Sequence, residues 1–181
     1  MMRALLASLL LGLAAWSCGN APATRINDFA LTNHDGHRMA LHELQGHRVL
    51  LFFGFTHCPD ACPTMLSKLT RVYRLLGSDA KDVRTIFVSV DPNRDSPAAL
   101  KEYLSNFSIP VTGMTGTKAE IDRTISAYGG TYEITPSKSA AGPTVAHTTW
   151  LYLLDDGGTL RHKVNPATTE PKEIAELIRH L

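Results

Sequence analysis

Val49-Leu50-Leu51-Phe52-Phe53-Gly54-Phe55-Thr56-His57-Cys58-Pro59-Asp60-Ala61-Cys62-Pro63-Thr64 passes from a continuous apolar run into two cysteines separated by three residues. The apolar run, Val49 to Phe55, reads as a central strand buried on both faces. Beyond the cysteines the spacing becomes helical: Met65, Leu66, Leu69, Val72, Tyr73 and Leu76 line one face, and Gly77 stops the helix. Cys58 therefore follows a strand and Cys62 precedes a helix, which puts both at the carboxyl edge of a sheet, where open α/β folds bind ligands.

Working outward, the alternation repeats. A second buried strand, Val83 to Val90, leads into Asp91-Pro92-Asn93-Arg94-Asp95-Ser96-Pro97, where Ser96 caps a helix running to about Asn106 and Pro97 takes its first position. Ile109 to Val111 is expected as a short strand and Lys118 to Tyr128 as a helix. Thr148 to Leu154 is expected as a strand that turns at Asp155-Asp156-Gly157-Gly158 into Leu160 to Val164, and Glu170 to His180 as the last helix. Near the start, Phe29 to Leu31 and Met39 to Leu41 flank Asn33-His34-Asp35-Gly36, an Asp-Gly hairpin signal. The pattern predicts one α/β domain over 26–181, thioredoxin-like with an added N-terminal β-hairpin. Gly129 to Ala146 is expected to be its long loop.

The chain has 181 residues, 44% hydrophobic and 19% charged, with a formal charge of +1, so one full-sized core is expected and no basic stripe invites nucleic acid. Met1-Met2-Arg3 followed by the apolar stretch Ala4 to Trp16 has signal-peptide length and is too short for an ordinary membrane span. Residues 1–18 read as a lipoprotein-type signal with Cys18 as the lipid anchor, the alternative being cleavage near Ala14 or Ser17. Residues 19–25 read as a tether. Either processing route places the domain outside the cytoplasm, in the periplasm or on the outer surface, where disulfides persist.

With Cys18 assigned to the anchor, the mature domain keeps only Cys58 and Cys62 of three cysteines. Thiols so placed share a metal or close a disulfide. Each precedes a proline, which disfavours helical backbone there, so a turn is expected from Cys58 to Cys62 and a regular helix from about Pro63. The positive end of that helix should favour thiolate, at Cys62 at least. Of eight histidines, His147 begins a strand that reaches the same sheet edge, whereas His57 adjoins Cys58 on extended backbone and should point away. Two soft sulfurs and one imidazole suit copper as Cu(I) or Cu(II), while structural zinc normally asks for a fourth protein ligand. Asp91 reads either as an acceptor beside the metal loop or as part of a turn, and Met65, Met39 and Met114 read as packing rather than thioether ligands.

Three blocks now carry a resemblance. Phe53 to Thr64, Val88 to Pro97, and Val145-Ala146-His147 followed by Tyr152-Leu153-Leu154-Asp155 and its glycine turn are similar to the Sco/SenC family of copper chaperones for cytochrome c oxidase. The resemblance covers the chain from about Ile26. It implies a thioredoxin-like fold, membrane attachment, copper held by Cys58, Cys62 and His147, and as partner the oxidase subunit with the binuclear copper centre. Other periplasmic copper chaperones and thioredoxin-like reductants are further partners it suggests. One departure is Ala146, where the family commonly has an acidic residue before the histidine.

Two functions follow from these residues. In one, the protein carries copper and passes it on by ligand exchange, transforming no substrate. In the other it is a thiol–disulfide oxidoreductase whose cysteines reduce the oxidase's copper-ligand cysteines or another client. A peroxiredoxin reading fails, because that motif has a threonine three residues before its cysteine and an earlier proline; Thr56 lies two before Cys58, and no proline occurs between Asn27 and His57.

Overall fold

The apolar run quoted above becomes β3 (Arg48–Gly54), the spine of a seven-stranded sheet. A computed structural model describes residues 28–138 and 142–181. β3 pairs in parallel with β4 (Val83–Ser89), Phe53 opposite Val88, and antiparallel with β8 (Leu151–Leu154), Leu51 opposite Tyr152. Neighbours on both sides and cover on both faces explain why no polar residue interrupts Val49 to Phe53. Side chains alternate between two cores. Leu50 and Phe52 join Leu66 and Leu69 of α1 (Ala61–Leu76), Leu100 of α2 (Pro97–Leu104) and Ile174 of α4 (Pro171–Arg179). Val49, Leu51 and Phe53 join Ile121 and Ile125 of α3 (Lys118–Ala127).

Beyond β4 the sheet continues through β5 (Val111–Thr115) to β1 (Ala30–Asn33) and β2 (Arg38–Ala40), and beyond β8 to β9 (Leu160–Val164). The architecture is thioredoxin-like, as the sequence pattern implied. The N-terminal hairpin does not stand apart: β1 pairs antiparallel with β5, Thr32 opposite Thr115. Its turn contains Gly36 at φ 85°, a backbone state that favours glycine. Ser96 caps α2 as expected, its Oγ accepting from the Ala99 amide at 3.2 Å.

Several boundaries differ from expectation. β5 starts at Val111, where Ile109 to Val111 had been expected, because Pro110 has no amide for the ladder. The segment Gly129 to Ala146 is not merely a loop: β6 (Tyr132–Thr135) and β7 (Thr144–His147) form a separate two-stranded ribbon, with Tyr132 opposite His147. Consequently His147 closes a ribbon strand rather than opening the sheet strand, which begins at Leu151. The expected signal with Cys18, and the tether, lie outside the described residues. Among the described residues no helix is long and apolar enough to cross a membrane.

Candidate metal centre

Cys58 and Cys62 sit where β3 ends and α1 begins. The strand leaves at Phe55, whose carbonyl accepts the Cys58 amide at 3.2 Å, and the chain turns through Pro59 and Asp60 into the helix. The helix begins at Ala61, two residues before the expected start, so Cys62 and Pro63 lie in its first turn. Proline is tolerated there because the first amides of a helix have no intrahelical acceptor to lose. Gly54 permits the close packing: a Cβ at that position would lie 2.6 Å from Cys62 Sγ and 2.6 Å from the Phe87 ring.

His147 arrives from the opposite direction, at the end of β7. One ligand atom from each of Cys58, Cys62 and His147 lies within 4.8 Å of the other two, and among the described residues this is the only such group of three. The sequence expectation that these residues converge is met by the geometry. His147 Nδ1 is 3.0 Å from the Thr148 carbonyl. A carbonyl only accepts, so Nδ1 carries the proton in this contact and Nε2 keeps its lone pair for a cation. The imidazole also meets the Phe55 ring edge to face, centroids 5.8 Å apart.

The two sulfurs are not equivalent. Both cysteines are free thiols. A hydrogen bond from the Cys62 side chain, with help from the amides of Asp60 and Cys62, lowers the Cys58 thiol to about 5 despite its partial burial. The Cys62 amide lies 3.5 Å from Cys58 Sγ. The same pairing and its own burial push Cys62 upward, and it is only 2% exposed. The helix-dipole expectation of a thiolate at Cys62 is thus corrected: the two sulfurs share one charge, and the less buried one keeps it.

Below the cysteine loop lies a polar anchor that sequence reasoning missed. Asp95 is fully buried, and its carboxylate accepts from the Thr56 amide at 3.0 Å, Thr56 Oγ1 at 2.6 Å and Ser89 Oγ at 2.6 Å. The legible signal was Ser89, a hydroxyl inside an apolar strand, which needs a buried partner. Asp91 does not reach the ligand group. Its buried carboxylate accepts from Arg94 Nε, so its direct role is in the turn. His57 is 54% exposed on its side chain, with Nδ1 at 3.0 Å from Thr56 Oγ1, and lies outside the group of three. Met65 and Met114 are core residues, as expected. Ala146 faces solvent and pairs across the ribbon with exposed Glu133.

An apolar cleft of about 210 Å³ opens beside the centre, lined by Phe52, Cys62, Met65, His147, Thr149 and Pro166 among others. It gives a path to Cys62 and His147 from solvent.

A thioredoxin-like domain with two cysteines on its first crossover and a histidine brought to them by an appended ribbon defines a class of metal-binding protein rather than a dithiol enzyme alone. The chain belongs to the SCO1/SenC family, whose pattern matches residues 19–181. It is 37% identical over 132 residues to the mitochondrial SCO1 homolog of Homo sapiens, covering 72% of this chain and 44% of that protein. Among solved structures, copper-bound ScoI of Bradyrhizobium japonicum superposes with a TM-score of 0.76 at 39% identity, covering 84% of this chain and 96% of that one. BsSco, described by its disulfide switch and as a member of the Sco family of cytochrome c oxidase assembly proteins, matches with a TM-score of 0.67 at 27% identity, covering 86% and 92%.

Proposed function

We propose that the protein is an extracytoplasmic copper carrier, anchored through Cys18, that holds copper on Cys58, Cys62 and His147 and delivers it to the copper-centre subunit of cytochrome c oxidase. The observation that carries this reading is the convergence of two sulfurs and one imidazole nitrogen within 4.8 Å of one another. That donor set matches copper in either oxidation state. Copper-bound ScoI, with its similar fold and sequence, supports the choice of ion, and the description of BsSco supports the oxidase as destination.

The chemistry follows from the residues. Cys58 supplies a charged sulfur before any ion arrives, and Cys62 yields its proton when it becomes a ligand. Nδ1 stays tied to the Thr148 carbonyl, so the imidazole keeps its orientation while Nε2 coordinates. With no fourth protein ligand in the group among the described residues, an acceptor's side chain entering along the apolar cleft displaces these ligands one at a time. No electron moves in that exchange.

A second reading has one observation in its favour, the partly exposed thiolate at Cys58 backed by a protonated Cys62. Cys58 would attack a client disulfide and release one client thiolate. Cys62, losing its proton, would then attack Cys58 Sγ and release the second, leaving a Cys58–Cys62 disulfide. Thioredoxin-like reductants would restore the pair.

Substitution separates the two. Cys58→Ser and Cys62→Ser should each abolish copper retention and the intense sulfur-to-copper absorption. His147→Ala should weaken Cu(II) binding while leaving reduction of a disulfide peptide near its starting rate. Copper binding unchanged in His147→Ala, with reduction lost in the cysteine variants, would favour the oxidoreductase.

A further inference from the structure

Among the described residues the ribbon that carries His147 pairs with no strand of the main sheet, so something must fix its angle over the cysteine loop. At its base Thr131 and Thr148 are bonded, the Thr148 amide donating to the Thr131 carbonyl at 2.9 Å. Toward α3, the Tyr132 hydroxyl donates to Asp122 at 2.7 Å. Neither contact touches the side of the ribbon where β7 begins.

That side rests on Arg94, in the turn between β4 and α2. Its Nε donates to the buried Asp91 carboxylate, and its Nη2 donates at 3.3 Å to the carbonyl of Pro143, the residue before β7. A Cβ on Gly142 would lie 3.1 Å from Arg94 Nη1, so the guanidinium is packed closely under the strand's start. The same guanidinium lies 5.8 Å from the centroid of Phe55, whose ring stands perpendicular to that of His147. Arg94 therefore touches the ribbon's backbone and, through Phe55, the ring it delivers. Its side chain is 19% exposed and Asp91's is 2% exposed, so the pair is withdrawn from water.

We infer that Arg94 is a positioning residue for the nitrogen ligand: a guanidinium clip, anchored on Asp91, that holds the β6–β7 ribbon and the Phe55 ring so that His147 faces the two sulfurs. The inference rests on the copper-site reading above and assigns Asp91 an indirect part in it. Arginine suits the task because its planar fork bonds a carboxylate and a carbonyl at once while its face lies against an aromatic ring; lysine supplies only the charge. The clip acts on the imidazole and not on the pairing of Cys58 with Cys62.

The test compares Arg94→Ala, Arg94→Lys, Phe55→Leu and His147→Ala with the starting protein. In the reduced metal-free protein, nuclear Overhauser contacts between the Phe55 and His147 rings are expected to vanish in Arg94→Ala and weaken in Arg94→Lys. With Cu(II), Arg94→Ala should lose the nitrogen coupling of the imidazole in electron paramagnetic resonance and bind about 10-fold less tightly or worse, the range of changes behind a metal ligand. Phe55→Leu cuts the middle link while keeping the ion pair, and should lower nitrogen coupling even if Arg94→Ala folds poorly. Alkylation of Cys58 should keep its rate in Arg94→Lys. Wild-type ring contacts and nitrogen coupling in Arg94→Ala, set beside loss of coupling in His147→Ala, would overturn the clip alone. Full coupling and affinity in His147→Ala would overturn the copper-site reading and the clip with it.

Discussion

The sulfur half and the nitrogen half of this centre are built in opposite ways. Cys58 and Cys62 grow out of β3, a strand buried on both sides, and their loop is tied from below by two hydrogen bonds from Thr56 to one buried carboxylate, Asp95, which Ser89 of β4 holds by a third. His147 sits on a ribbon of two four-residue strands whose residues are exposed or only partly buried. A two-stranded ribbon alone is marginal in water, so its position depends on a few tethers such as Tyr132 and Arg94. The contrast teaches that the sulfurs are preformed and the imidazole is delivered. Such a division suits a carrier, because one ligand can yield to an acceptor while the other two keep the ion.

Perturbing the sulfur side should give the largest effects. Alkylation of Cys58 by iodoacetamide should follow a midpoint near pH 5 rather than the 9.0 of an ordinary thiol, slow below it as the sulfur gains a proton and level above it. A midpoint near 9 would mean that the shared charge is absent. Asp95→Ala strands the Thr56 amide, Thr56 Oγ1 and Ser89 Oγ without their acceptor, and urea unfolding should register a loss of about 3 kcal/mol or more. Stability within about 0.5 kcal/mol of the starting protein would contradict the anchor.

On the ribbon side the effects should be smaller. His147→Ala removes a ligand itself, so it should lower Cu(II) affinity by no less than the roughly 10- to 100-fold that loss of a group behind a ligand costs, measured in competition with a chelator, with little change in unfolding, because the residue ends a peripheral strand. Smallest is Tyr132→Phe, which removes the 2.7 Å bond to Asp122 at an expected cost of about 1 kcal/mol and should speed amide exchange in Tyr132–Thr135 before it touches copper.

The same division explains what was legible in the sequence. β3 and α1 could be read because Val49 to Phe55 and the Met65 to Leu76 face obey strong, simple periods, and two cysteines between them locate the site. His147 is legible because it lies just before an apolar strand, although it ends the ribbon strand β7 and does not open β8. The ribbon itself escaped notice: Tyr132-Glu133-Ile134-Thr135 and Thr144-Val145-Ala146-His147 alternate weakly over four residues each, without a short Asn-Gly type turn between them. Asp95 and Arg94 were hidden in a polar turn that reads as solvent-exposed, and only the fold reveals that this turn lies beneath both the cysteine loop and the ribbon. The site of the thiolate was missed for a different reason. A helix-end argument treats each sulfur alone, whereas two sulfurs in contact hold one charge between them.

X-ray absorption at the copper edge, on the loaded protein and on His147→Ala, bears most directly on the meeting of these halves. The expected result is two sulfur neighbours and one imidazole in the starting protein, with the sulfur shell kept and the imidazole scattering gone in the variant. Sulfur neighbours alone in the starting protein, or an imidazole signal that survives the substitution, would contradict it.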